Sequence, residues 1–105
     1  MSTFEEERHN VGEGWQPLIE QLDADIRAIA PDYEVSQIKE KFGGLRFYVF
    51  DVPAGVHELI NKAEDQSFKI CEECGEPSVP QTDENGGYWL RSLCAAHREA
   101  RHEAT

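Results

Sequence analysis

The chain has 105 residues, with 21 acidic against 10 basic side chains and a formal net charge of −11 at pH 7. This length suits one compact domain, or a domain with a small metal-held addition, and is too short for two independent cores. The charge disfavours contact with a nucleic acid backbone, whose affinity comes largely from neutralised phosphates. The acidic start and the lack of any apolar run of 18 residues speak against a secretory signal and a membrane span.

Residues 1–14 are polar and end in Val11-Gly12-Glu13-Gly14. Ser2 and Glu5 could cap a short helix carrying Phe4, but nothing else supports one, so the segment reads as a tail or a loosely packed turn. From Trp15 the pattern changes. Trp15, Leu18, Ile19, Leu22, Ile26 and Ile29 form one apolar stripe at helical spacing, with Pro17 suited to the first turn and Pro31 ending the helix after Ala30.

Tyr33 to Val52 is rich in β-branched and aromatic residues and is split by Gly43-Gly44, which predicts a hairpin with the two glycines in the turn. Placing Phe42 opposite Leu45 pairs Glu40 with Phe47 and Ile38 with Val49 on a largely apolar face. Lys41 then meets Arg46, and Lys39 meets Tyr48, on the other. Glu40 is the awkward member of the apolar face and needs a partner if buried. After Pro53-Ala54-Gly55, a second amphipathic helix carries Val56, Leu59, Ile60 and Ala63 and runs to about Ser67. The expected organisation is a polar segment over 1–14, an α+β core over 15–69 and a metal-binding unit over 70–105.

That last unit rests on Cys71-Glu-Glu-Cys74-Gly75 and Cys94-Ala-Ala-His97. Gly75 can take the left-handed conformation that turns both sulfurs of the first pair inward. Cys94 and His97 face one side of a helical turn. The four side chains are expected to bind one structural Zn2+; His102, two helical turns past Cys94, is a weaker fourth-ligand candidate. Three cysteines cannot all pair internally, so a reducing cytoplasm is the expected compartment. Between the halves, Val79 to Thr82 and Tyr88 to Leu90 suit a short hairpin, giving a treble-clef-like order of knuckle, hairpin and helix. Gly87-Tyr88-Trp89 offers no histidine where some treble-clef nucleases carry a catalytic one, which argues against that activity.

Taken together, Gly12-Glu13-Gly14-Trp15, the run Lys39-Glu40-Lys41-Phe42-Gly43-Gly44-Leu45-Arg46-Phe47-Tyr48 and the two ligand pairs resemble a family of small phage and bacterial proteins of unassigned activity. The resemblance spans about residues 12 to 98 and brings no catalytic residues with it. It implies a phage or prophage accessory protein acting in the bacterial cytoplasm.

Two surfaces are candidates for contact. Lys39, Lys41 and Arg46 with Tyr48 form a basic and aromatic patch suited to RNA, DNA or an acidic protein, or else an ordinary solvated strand face. Trp89 adds a candidate interface anchor beside the metal unit. Residues 70–105 hold 7 acidic and 3 basic side chains, so that unit itself is a poor DNA binder. The leading expectation is a non-enzymatic, zinc-stabilised protein-binding module that inhibits or redirects a host factor, with direct RNA or DNA binding as the alternative. An open ribbon edge would permit either a monomer or a homodimer.

Overall fold

The computed structural model describes residues 4–41, 43–78 and 92–97. Among these, helices α1 (Phe4–Glu7), α2 (Gln16–Ile29) and α3 (Ala54–Ser67) accompany an antiparallel ribbon of β1 (Val35–Lys41) and β2 (Gly44–Val49), an α+β fold. None of these helices is long and apolar enough to cross a membrane.

The stripe of α2 is buried through its middle, while Leu18 is only partly covered and Ile29, at the C-terminal end, is exposed. Ile19, Leu22 and Ile26 are buried, and Trp15, in the 3-10 turn Glu13–Trp15 just before the helix, is fully enclosed. Ala30 leaves helical geometry ahead of Pro31, whose carbonyl accepts from the Arg27 guanidinium at 3.2 Å. In α3 the buried positions are Val56, Ile60, Ala63 and Ser67, one face of a regular helix. Tyr33 closes the end of this core, its hydroxyl donating to Asp23 at 2.5 Å. Burial and that hydrogen bond push the phenol well above its usual range.

The ribbon forms with a different register from the one the sequence suggests. Lys41 pairs with Gly44, Glu40 with Leu45, Lys39 with Arg46, Ile38 with Phe47 and Gln37 with Tyr48. Only Gly43 belongs to the turn, with φ of 83°, while Gly44 is the first residue of β2. Gly44 lies under the ring of Phe68, which would have to swing away to admit a Cβ there. Because each partner moves by two positions, the faces survive, and Ile38, Leu45 and Phe47 are buried as expected. A bulge between Val35 and Gln37 then brings Val35 opposite Val49 and into the core. Glu40 solves its own problem by accepting the Gly43 amide at 2.8 Å, bracing the turn.

Helices also occupy outward-facing ribbon amides. Leu45 N donates to Ser67 Oγ at 2.8 Å and Phe47 N to Glu64 Oε2 at 2.9 Å, while Ile38 N donates to Glu7 Oε1 at 3.3 Å. A second copy pairing at these positions would have to displace those side chains.

The N-terminal segment is not a tail from Phe4 onward. Phe4 and Val11 join the core, and the Phe4 ring lies 6.4 Å from that of Phe47. Arg8 covers Phe4 at 5.1 Å, pairs with Glu20 and donates to Gln16 Oε1 at 2.8 Å, tying the segment to the start of α2.

Candidate metal centre

Residues 69–78 fold back on themselves as a knuckle. Ile70 bridges Pro77, Cys71 N donates to Glu76 O at 2.7 Å, and Gly75 N returns to Cys71 O at 2.9 Å. Gly75 has φ of +85°, the left-handed conformation anticipated for it. The second ligand pair arrives on residues 92–97, where residues 95–97 form a helical turn. Glu72 N donates to Ser92 O at 2.9 Å, and Leu93 and Cys94 are buried with Cys71 in a second small core.

Cys71, Cys74, Cys94 and His97 come together as expected, with all four ligand atoms within 4.8 Å of one another. Cys74 Sγ lies 3.7 Å from Cys94 Sγ, and His97 Nδ1 lies 3.2 Å from Cys94 Sγ and 3.5 Å from Cys71 Sγ. All three thiols are free. The Cys94 thiol is drawn down to about 6, first by the His97 backbone and then by its ring. At Cys71, burial opposes ionisation, but backbone hydrogen bonds around Cys94, Cys74 and Glu73 outweigh it and lower the thiol. The Glu76 backbone favours ionisation of Cys74, yet desolvation and the two neighbouring sulfurs together push it up to about 11. Three sulfurs this close cannot all carry charge without a cation among them. A soft thiolate and imidazole donor set of this size fits one metal ion.

Around this cluster the chain interlocks with the α+β core. Gly14 N donates to Glu72 O at 2.9 Å and the Trp15 indole to Ile70 O at 3.0 Å. A Cβ on Gly14 would fall on Cys71 O, 2.5 Å from Gly75 N and 2.8 Å from Cys74 N; one on Gly12 would fall on Glu72 O. Ser92 Oγ reaches the hairpin tip, donating to Gly43 O at 2.5 Å. The Gly-Glu-Gly-Trp segment is thus the seat of the knuckle, a role that needs contacts remote in sequence and that spacing alone does not reveal.

Comparison of the chain with protein-family models, with curated proteins and with solved structures finds no match. The site is therefore read from its own chemistry.

Sequence reasoning missed Glu73 as a supporting group: its Oε2 lies 3.8 Å from His97 Nε2, the ring nitrogen turned away from the sulfurs. Contact with His97 raises nothing new in sequence, since acidic residues are common in this chain. The His97 ring itself is shifted up, chiefly by its hydrogen bond to Cys94. The second candidate surface is partly assembled. Lys39, Lys41, Arg46 and Tyr48 share the outer ribbon face, with Lys39 Nζ 5.8 Å from the Tyr48 ring centre, but Arg46 bends toward Glu64 at 3.6 Å. Trp89, His102 and the expected hairpin over residues 79–90 lie outside the described residues.

Proposed function

We propose that the chain is a non-enzymatic interaction module whose metal centre is one structural zinc ion. The observation that carries this reading is the spacing of the four ligand atoms. Tetrahedral zinc with Zn–S of about 2.3 Å and Zn–N of about 2.0 Å requires S···S near ~3.8 Å and S···N near ~3.5 Å. Three of the six separations, 3.7, 3.5 and 3.2 Å, lie close to those of that cage, and all six are within 4.8 Å. Four protein ligands complete the sphere and leave no position for a reacting water, which supports a structural role. Glu73 would orient the His97 ring from its far side.

The acidic helical surfaces suit a protein partner with a basic groove, and the resemblance noted above would make that partner a host factor in a bacterial cell. Metal analysis tests the zinc reading: purified chain should carry one zinc, lost in Cys94→Ser and in His97→Ala, and native folding without stoichiometric metal would refute it. A second reading, direct RNA or DNA contact through the face of Lys39, Lys41, Arg46 and Tyr48, draws on Lys39 Nζ lying 5.8 Å from the centre of the exposed Tyr48 ring.

A further inference from the structure

The three sulfurs of the ligand cluster are not equally sheltered. Cys71 is fully buried and Cys94 only 8% exposed, whereas Cys74 lies open to solvent. A small oxidant from solution therefore meets the Cys74 sulfur first. Across from it stands Cys94 Sγ, 3.7 Å away and on a separate stretch of chain. A disulfide has an S–S distance of about 2.05 Å, so closing the gap asks for a movement of under about 2 Å. Cys71 is less free to turn outward. Its amide donates to Glu76 O at 2.7 Å, its carbonyl accepts from Gly75 N at 2.9 Å, and Gly14 packs directly on that carbonyl. Cys94 stands just ahead of the turn at residues 95–97, where Ala95 and Ala96 are exposed and leave room to shift.

We propose that the site is a peroxide-sensitive latch, in which a Cys74–Cys94 disulfide replaces the metal as the link between the knuckle and residues 92–97. The inference rests on the zinc reading above and adds its regulation. A metal ion holds Cys74 as the thiolate, the form that attacks. Its sulfur attacks hydrogen peroxide: an S–O bond forms, the O–O bond breaks, hydroxide leaves, and Cys74 becomes the sulfenic acid. The Cys94 thiolate then attacks the Cys74 sulfur, so that the S–S bond forms, the S–O bond breaks and a second hydroxide departs. Two thiolates have given two electrons to one peroxide, and zinc keeps its charge throughout. Of the four ligands, Cys71 and His97 remain, their donor atoms 3.5 Å apart, and half a tetrahedral sphere no longer holds the ion tightly. The new cross-link keeps the knuckle tied to the stretch whose Ser92 reaches the hairpin tip. A dithiol reductant reverses the step by thiol–disulfide exchange and returns the ligands to the metal.

The test uses zinc-loaded chain at low micromolar concentration, treated with hydrogen peroxide while a chromogenic chelator reports free zinc. One zinc per chain should be released as alkylatable thiols fall from three to one. Cleavage after Lys69, Glu73 and Arg91 puts each cysteine on its own peptide, and mass spectrometry should find Cys74 joined to Cys94 with the alkyl group on Cys71. The oxidised chain should melt below the zinc-loaded form and above reduced, metal-free chain, and dithiothreitol with added zinc should restore the starting metal content. A disulfide that includes Cys71, one that joins two chains, or zinc held through oxidation with three thiols intact overturns the proposal. Metal content before oxidant separates the two readings. A chain without zinc at that point refutes the structural zinc centre and the latch with it, whereas a zinc-bearing chain that resists peroxide refutes the latch alone.

Discussion

Gly12 and Gly14 carry no chemistry, yet the knuckle can sit where it does only because both lack a side chain. The atoms a Cβ would meet are backbone, and backbone cannot rotate away as a side chain would. Gly14→Ala should therefore destabilise the zinc-loaded chain by about 1–3 kcal/mol or more and weaken zinc retention, measured by denaturant titration and chelator competition. Gly55→Ala is the control. A Cβ there meets only Ile29 Cδ1 at 3.9 Å, so the helix should gain about 0.4–1 kcal/mol from reduced freedom in the unfolded chain. The contrast also explains what could be read in advance. Cys71 with Cys74, and Cys94 with His97, announce themselves because each pair is three residues apart and the geometry of one turn joins them. The glycines answer to partners nearly sixty residues away, and their need for space is visible only once those partners are placed.

At the scale of elements, α2 and α3 were legible and the ribbon only in part. A stripe such as Trp15, Ile19, Leu22 and Ile26 is set by local periodicity and survives in the fold. The register was misassigned because two adjacent glycines look interchangeable, whereas one answers to a positive φ and the other to the Phe68 ring. Residues 4–15 were harder still: the helix α1 is held by Phe47 and Ile38, neither of them a neighbour in sequence. The way α3 seals β2 gives a direct test. Ser67 is fully buried, donates to Glu64 O at 2.5 Å and accepts the Leu45 amide. Ser67→Ala leaves that amide buried without its acceptor and should destabilise the fold by about 1–3 kcal/mol. Amide hydrogen exchange provides the local readout, accelerating at Leu45 more than at Ile38, whose amide keeps its Glu7 acceptor.

Across the whole molecule, the ligand cluster fastens remote stretches to one another: the turn before α2, the hairpin tip, residues 70–76 and residues 92–97. A metal that binds only this assembled state stabilises the entire fold. At free zinc a thousandfold above its dissociation constant the gain is about 4 kcal/mol. For a domain of this size that corresponds to an upward shift of roughly 15–30 °C in melting temperature. Calorimetry across a series of zinc buffers should show this rise, with one cooperative transition; a melting temperature indifferent to zinc activity would contradict the interlock.

The hydrogen bond from the Trp15 indole to the Ile70 carbonyl has an implication for how the protein is made. Its two ends are synthesised far apart in time, and the strap that secures them, residues 92–97, comes off the ribosome later still. Until then the emerging α2 exposes an unprotected tryptophan and the first cysteine pair waits with half its ligands missing. Completion thus waits until His97 has emerged, and products that stop short of it should be prime substrates for cellular proteases.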